Sequence, residues 1–251
     1  MNSGISRTVR IASIALFVML TVCGGRSPSV FGRNTSSDGG EAQREAAASF
    51  SLLTLNSVDG RLFRASSTLE ADSPYDLGTY GMQTLFDDDI STGWSEGVDG
   101  PGIGEVLWID LPEGSDTLQI RNGFARTPRL FRMNNRVAEL HLSLWEGVLP
   151  DGMVSETTAI YVMAPVTGSE VVHLDDTREL QEVTLPALPP EARPSPPEGY
   201  KAFAEAEGLP PNIHEIRRFL RLEIAAVYPG SRWDDTCLTE IGTYPDRSPR
   251  D

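Results

Sequence analysis

The chain has 251 residues, 39% of them hydrophobic, with 36 acidic residues against 21 lysines and arginines. The resulting formal net charge of −15 argues against a broad basic face for nucleic acid or anionic lipid, because both would be repelled. The length fits one large or two small domains, and the 18 prolines and 23 glycines are typical of the many turns of an all-β protein.

The N-terminal segment has the pattern of an export signal. Arg7 and Arg10 precede the apolar run Ile11–Val22, which is shorter than the roughly 20 residues needed to span a bilayer. Cys23 follows at once in "LTVCGG", which resembles a bacterial lipoprotein signal whose cysteine becomes the lipidated first residue. Val22 stands where that pattern usually has a small residue, so an uncleaved anchor and a plain secretory signal are the alternatives.

Residues 1–22 are therefore predicted to be a signal peptide, and residues 23–50 a lipid-anchored flexible tether. The tether is rich in Gly, Ser and charged residues and poor in bulky apolar ones. If Cys23 carries lipid, Cys237 is the remaining thiol and no intramolecular disulfide stabilises the fold. These features predict an extracytoplasmic place in the cell envelope, with the membrane contacted through the anchor.

From about Leu52, short segments alternate apolar and polar residues, which is the period of half-buried strands. The apolar faces of three such segments are Leu107, Ile109 and Leu111; Ala138, Leu140, Leu142 and Leu144; and Leu220, Leu222, Ile224 and Ala226. Trp108 alternates out of the first face and is predicted to pack against another layer. Turn residues separate the segments, so residues 51–245 are predicted to form an all-β sandwich or barrel, with 246–251 as a tail.

The segment Pro186–Asn212 interrupts this series. It is dense in proline, and within it Tyr200–Glu207 is compatible with two helical turns. We interpret residues 186–212 as an insertion between two strands, either a surface excursion or a disordered loop.

The loop "DDDISTGWSEG" begins at Asp87 and concentrates oxygen ligands. Asp87, Asp89 and Ser91 match positions one, three and five of an EF-hand, but position six is Thr92 instead of glycine and position twelve is Val98 instead of glutamate. The loop is therefore not an EF-hand. It could still hold calcium if another segment supplied a carboxylate.

Motifs of common enzymes are absent from the sequence. It contains no G-x-S-x-G elbow, no H-E-x-x-H, no paired C-x-x-C and no phosphate-binding glycine loop. "HEIRR" at His214 has arginine where the second histidine of a zinc-protease motif belongs, and His141 and His173 are distant strand or loop residues. Acidic residues are plentiful, so a carboxylate pair by itself indicates little.

Two of the four tryptophans occur in polar, turn-like sequence: Trp94 in "STGWSEG" and Trp233 in "PGSRWDDT". A tryptophan in a loop is either a plug at the end of a barrel or a face on which a sugar ring stacks. The plug is the commoner case, because aromatic side chains bury a large area.

Five motifs in order resemble one family: "ASSTL", "LFDDDISTGWSEG" with "GIGE", "IRNGF", "NNRV" and "YPGSRWDDTCLTEI". Together they resemble the discoidin-like (coagulation-factor C-type) β-sandwich, and more closely its NADase-type glycan-binding variety. The resemblance covers roughly Ala65 to Ile241. It implies a galactose-binding-like jelly roll of eight strands, with Pro186–Asn212 as a proline-rich insertion.

The resemblance also implies sites. Loops at one end of such a sandwich bind ligand, which by turn position and chemistry gives the candidates Trp94, Glu96, Arg136, Tyr228, Trp233 and Asp234. A structural calcium maps onto Asp87, Asp89, Thr92 and Glu240, although the relatives usually have glycine where this chain has Asp88. Arg136 and Asp234 have a simpler interpretation as an ion pair that ties loops together, because buried charges require a partner.

Three functions follow as hypotheses. The first is a non-catalytic surface lipoprotein that binds a glycan or a similar cell-surface ligand. The alternative is a structural or envelope-assembly lipoprotein that binds a protein partner through the 186–212 excursion. A hydrolase using acids such as Asp89 and Glu96 is the third, without a supporting motif. NADase activity is not implied, because in the related toxins it belongs to a separate domain and the chain stops ten residues after Ile241.

Overall fold

The computed structural model describes residues 50–71, 79–187 and 194–244. The predicted signal peptide, the lipidation site Cys23, the tether up to residue 49 and the tail 246–251 lie outside the described residues. No helix in the three described ranges has the length and apolar character required to cross a membrane.

The described residues are mostly strands. The strands are β1 (Ser51–Val58), β2 (Arg61–Ala65), β3 (Trp94–Ser95), β4 (Val106–Leu111), β5 (Thr117–Asn122), β6 (Asn135–Pro150), β7 (Thr158–Pro165), β8 (Glu170–His173), β9 (Leu180–Thr184), β10 (Ile213–Tyr228) and β11 (Thr236–Tyr244). A 3-10 helix spans Met82–Phe86, and the helices α1 and α2 span Pro128–Met133 and Tyr200–Ala206. The helical turns predicted within the insertion are thus confirmed as α2.

The predicted alternation is confirmed in the long strands. In β4 the burial alternates residue by residue, with Leu107 and Ile109 almost fully buried. The leucines of the predicted β6 face and the Leu220, Leu222 and Ile224 face of β10 are buried as well. Ala138 and Ala226 are half-buried, at the ends of their faces.

Pairing around β6 and β10 sets the architecture. These two strands pair antiparallel from Ile213 opposite Pro150 to Tyr228 opposite Arg136, and β4 pairs with the other edge of β10. The main core lies between the leucine faces of β4, β6 and β10 on one side and apolar residues of β5, β9 and β11 on the other, among them Leu118, Ile120, Val183, Leu238 and Ile241. The fold is therefore an all-β jelly-roll sandwich with a proline-rich insertion, as predicted.

A second core was not predicted. β1 pairs with β2 and β7, β2 pairs with β4, and β7 pairs with β6, so six strands close into a ring. Because side chains alternate along a strand, β6 and β10 send their other faces into this ring. Its core contains Leu55, Leu62, Leu149, Ala159, Tyr161, Met163 and Phe219. Trp108 also packs here, edge-on to Trp145 at 5.1 Å between ring centroids, on the face opposite Leu107.

A third, smaller core joins the insertion to the start of the domain. Phe50 packs with Val148 and Val162, and helix α2 contributes Tyr200 and Ala204. The rings of Phe50 and Phe203 stack with their centroids 5.1 Å apart. The part of the excursion that contains α2 is therefore packed against the sandwich.

Gly147 provides a test of the second core. A Cβ at this position would lie 2.5 Å from the Phe219 ring and 2.9 Å from Tyr161, and both rings are fully buried. We expect Gly147→Ala to lower the free energy of unfolding by about 1–3 kcal/mol through overpacking. Chemical denaturation measures this, with Gly168→Ala as the control because nothing lies within 4 Å of its Cβ position. Equal stability of the two variants would contradict the packing.

Candidate functional site: a cleft at the loop end of the sandwich

A cleft of about 260 Å³ opens among the loops where β10 ends and β11 begins. We call it the loop-end cleft. Its apolar lining consists of three aromatic and two aliphatic residues: Tyr80, Phe124, Trp233, Leu69 and Leu130. Its polar lining consists of Ser95, Asn134, Asp235 and Cys237. Aromatic surface combined with a few polar groups is the composition of a site for a small, partly polar ligand.

Trp233 is the exposed aromatic residue of the cleft. It retains 37% of its surface in contact with solvent, in the turn between β10 and β11. The backbone of this turn is fixed, because the amides of Ser231, Arg232 and Trp233 donate to carbonyls at the end of α1. The predicted ligand-binding residue Trp233 therefore lies on the cleft wall and is accessible to a ligand.

Trp94 is a buried plug, which is the commoner of the two alternatives for a tryptophan in a loop. Its side chain is fully buried in the main core, and its indole Nε1 donates to the carbonyl oxygen of Ser67 at 3.1 Å. It is a plug beneath the cleft, and the structure does not bring it into the cleft lining. Trp94 is thus reassigned from a candidate ligand contact to the scaffold.

Glu96 is also buried and holds loops together. Its Oε2 accepts from the amide of Val98 at 2.8 Å, and its Oε1 accepts from the amide of Thr236 at 3.2 Å. Burial raises the pKa of this carboxyl, and the two amide hydrogen bonds oppose the rise. Gly102 has φ +65°, and a Cβ there would lie 2.6 Å from Glu96 Cγ, so the carboxylate is enclosed. With no exposed surface, Glu96 has a structural role and does not line the cleft.

Arg136 ties three loops together next to the cleft. Its guanidinium binds the Asp176 carboxylate at 2.9 and 2.7 Å and donates to the carbonyls of Asn134 and Pro229. Its Cζ also lies 6.0 Å from the ring centroid of Tyr228. Arg136 is 6% exposed, so little of its surface is left for contact with a ligand.

Arg136 does form an ion pair, but its partner is Asp176 and not Asp234, the partner suggested by the sequence. Asp234 instead accepts from the Asn135 side-chain amide, through its Oδ1 at 3.0 Å and its carbonyl at 2.7 Å. Tyr228 donates its hydroxyl to the Leu174 carbonyl at 2.9 Å. Three of the predicted residues thus shape the loops around the cleft without lining it.

A profile described as the NAD glycohydrolase translocation F5/8 type C domain matches residues 59–244, which is most of the chain. The chain belongs to this family. The predicted resemblance to discoidin-like domains is thereby confirmed, and such a domain is compatible with carbohydrate binding. No curated protein matches the chain.

Several solved structures match the chain at low identity. The F5/8 type C domain of a Bacteroides fragilis protein is 13% identical with a TM-score of 0.38, over 78% of this chain and 96% of that chain. The family 32 carbohydrate-binding module of C. perfringens NanJ, solved with galactose, is 11% identical with a TM-score of 0.34, over 76% and 98%. The mycobacterial arabinofuranosyltransferase AftD is 13% identical with a TM-score of 0.39, and the match spans 78% of this chain but 11% of AftD.

The four calcium ligands implied by the resemblance are not assembled into a cage in this F5/8 type C domain. Thr92 Oγ1 donates to Asp87 Oδ2 at 2.8 Å, and the Asp89 amide donates to Asp87 Oδ1 at 2.9 Å. Glu240 forms an ion pair with Arg121 at 2.5 Å. Among the described residues, no three His, Cys, Asp or Glu side chains are grouped so that they could hold a metal ion. Calcium binding at these residues therefore stays a prediction, which thermal unfolding in calcium and in EDTA tests. A higher unfolding temperature in calcium would support it, and equal temperatures would contradict it.

Asp88 occupies the position at which glycine was expected. Its φ is +58°, in the left-handed region where Asp is tolerated and β-branched residues are not. We expect Asp88→Val to lower the free energy of unfolding by about 1–3 kcal/mol, and Asp88→Gly to leave it unchanged or higher. Thermal denaturation of both variants measures this. A valine variant as stable as the glycine variant would show that the loop does not require this conformation.

Most of the cleft lining could not be found from the sequence. Tyr80 and Phe124 lie in irregular segments without a periodic pattern, Leu69 comes from the loop after β2, and Leu130 lies in α1. The strand pairing of the folded domain is what brings these segments together. Asp235 could have been found from the sequence, because it directly follows the predicted ligand-binding residues Trp233 and Asp234.

Proposed function

We propose that this protein is an extracytoplasmic surface lipoprotein whose F5/8 type C domain binds a glycan in the loop-end cleft without catalysing a reaction. The supporting observation is the cleft itself, in which the exposed ring of Trp233 lies beside polar residues from β3, from the end of α1 and from the start of β11. A sugar ring presents an apolar face together with hydroxyl groups, and a wall of this composition complements both. The NanJ module, a structure of similar kind, was solved with galactose.

The chemistry of the cleft supports binding without catalysis. Cys237, a potential nucleophile, is 1% exposed, and burial raises the pKa of its thiol to about 12. Its Sγ lies 2.9 Å from the Ser95 hydroxyl, and none of the lining residues is a histidine that could serve as a base. The histidines of the described ranges lie elsewhere. His141 on β6 and His173 on β8 each lie 3.4 Å from Glu139 on β6.

The chain enters the described domain far from the loop-end cleft. Phe50 packs against Val148, near the end of β6, whereas the cleft residue Asn134 directly precedes the start of β6. With about 3.3 Å per strand residue, these two positions are separated by about 45 Å along the strand. The lipid anchor itself is proposed from the sequence pattern of residues 1–23.

A glycan array tests the proposed function. The purified protein is expected to bind a defined subset of glycans, and binding should be weaker in a Trp233→Ala variant whose unfolding temperature is unchanged. A folded protein that binds no glycan on a broad array would contradict the proposal.

The alternative role, binding of a protein partner through residues 186–212, requires a different test. Helix α2 covers the third core, so deletion of the whole excursion would expose Phe50 and Val148. Substituting the exposed Lys201 and Glu205 instead changes the helix surface while leaving its buried face intact. Loss of a partner from pull-downs with this variant, with glycan binding retained, would favour the alternative.

A further inference from the structure

Trp233 differs from the other tryptophans in how its ring is held. The indole Nε1 atoms of Trp94 and Trp145 donate hydrogen bonds to serine oxygens, and Trp108 packs edge-on to Trp145. Within the described ranges, the Trp233 indole makes no hydrogen bond, pairs with no aromatic ring and belongs to none of the three cores. Neither a hydrogen bond nor burial in a core therefore sets the orientation of this ring.

The side chain of Arg232 lies on the Trp233 ring instead. Its guanidinium carbon is 4.9 Å from the ring centroid, which is within the range of a cation–π contact. The turn favours this contact, because the amides of both residues donate to the same carbonyl oxygen, that of Met133, at 3.2 and 2.9 Å. The backbone thus holds the guanidinium and the indole next to each other.

Arg232 does not fill the loop-end cleft. Trp233 lines the cleft whereas Arg232 does not, so the guanidinium lies outside the cleft and leaves the cleft side of the indole accessible. Arg232 is exposed, and the ion pairs found in the described part of the chain do not include it. No described carboxylate therefore competes with the ring for this guanidinium.

We propose that Arg232 is a positioning residue of the glycan site, which stacks on Trp233 from outside the cleft and holds the ring in the orientation that a sugar contacts. This inference rests on the proposed function and adds a residue to the same site. Immobilising a mobile side chain on binding lowers the affinity, so a ring that is held before binding gives the tighter complex. Arg232 acts through the ring and does not contact the glycan.

Two variants of Arg232 and one control test this role. Arg232→Ala removes the stacked guanidinium, whereas Arg232→Lys keeps a cation that can lie over the ring. Arg129→Ala is the matched control, because Arg129 is an exposed arginine on α1, next to the cleft residue Leu130, and stacks on no described ring. All three variants should unfold at the wild-type temperature, since the side chains that change are exposed.

Nuclear magnetic resonance of the ¹⁵N-labelled full chain measures the order of the ring without a ligand. The Nε1–H signal of Trp233 is the one that disappears in Trp233→Phe, and its heteronuclear Overhauser effect reports motion on the picosecond to nanosecond timescale. We expect this effect to fall in Arg232→Ala, to be largely restored in Arg232→Lys and to equal the wild-type value in Arg129→Ala.

Titration calorimetry with a glycan identified on the array measures the consequence for binding. Arg232→Ala should lower the affinity about two- to fivefold, the factor that corresponds to a cation–π contact at an exposed site. Arg232→Lys should recover part of this loss, and Arg129→Ala should bind the glycan as tightly as the wild type.

The outcomes separate this inference from the function on which it rests. An unchanged Overhauser effect in Arg232→Ala, or a mobile ring with full affinity, would overturn the positioning role while glycan binding stood. An equal loss of affinity in Arg232→Ala and Arg129→Ala would assign the effect to charge and would also overturn it. A folded protein that bound no glycan would overturn the proposed function and the binding role of Arg232 together, even if the Overhauser effect showed that Arg232 orders the ring.

Discussion

Replacing Trp94 with alanine is expected to lower the free energy of unfolding by about 3–5 kcal/mol. The indole is fully buried in the main core, so its removal leaves a large cavity. The carbonyl oxygen of Ser67 also loses the hydrogen bond that it accepts from Nε1. Urea denaturation followed by circular dichroism measures the loss.

Trp94→Phe is the matched control for this prediction. Phenylalanine keeps an aromatic ring in the core but cannot donate to Ser67, so we expect a smaller loss of about 1–2 kcal/mol. A Trp94→Ala variant as stable as the wild type would contradict the assignment of this tryptophan as a plug. It would also reopen a role for Trp94 in the binding of ligand.

The architecture was predictable because its signals are periodic and local. Alternation predicts which residues of β4, β6 and β10 share a face, and Leu107, Leu142 and Leu222 on those faces indeed meet in the main core. The family resemblance then selected the jelly roll among the possible sandwiches and barrels. The second core was missed, because closure of the six-strand ring depends on the pairing of β1 with β7, between residues about a hundred positions apart.

The site was less predictable, since charge and aromaticity do not reveal burial. Glu96 and Arg136 look like residues that meet a ligand, yet both are enclosed by loops that come from distant parts of the sequence. Asp176, the partner of Arg136, lies 40 residues away in a turn without a distinguishing pattern. Such long-range contacts depend on the whole topology, and no local spacing encodes them.

Trp233 is the predicted ligand-binding residue that lines the cleft with an exposed ring. We expect Trp233→Ala to weaken glycan binding roughly ten- to hundredfold, the range typical of a central aromatic anchor in a binding site. The ring is 37% exposed and lines the cleft, so its removal takes away stacking surface without opening the main core. Titration calorimetry with a glycan identified on the array measures the change in affinity.

The matched stability measurement decides what a loss of binding means. The turn that carries Trp233 is held by backbone hydrogen bonds to Met133 and Arg132, which do not involve the indole. We therefore expect Trp233→Ala to change the free energy of unfolding by less than about 1 kcal/mol, in contrast to Trp94→Ala. A variant that lost binding together with several kcal/mol of stability would indicate a structural role for Trp233. Full affinity in a stable variant would place the glycan outside the loop-end cleft.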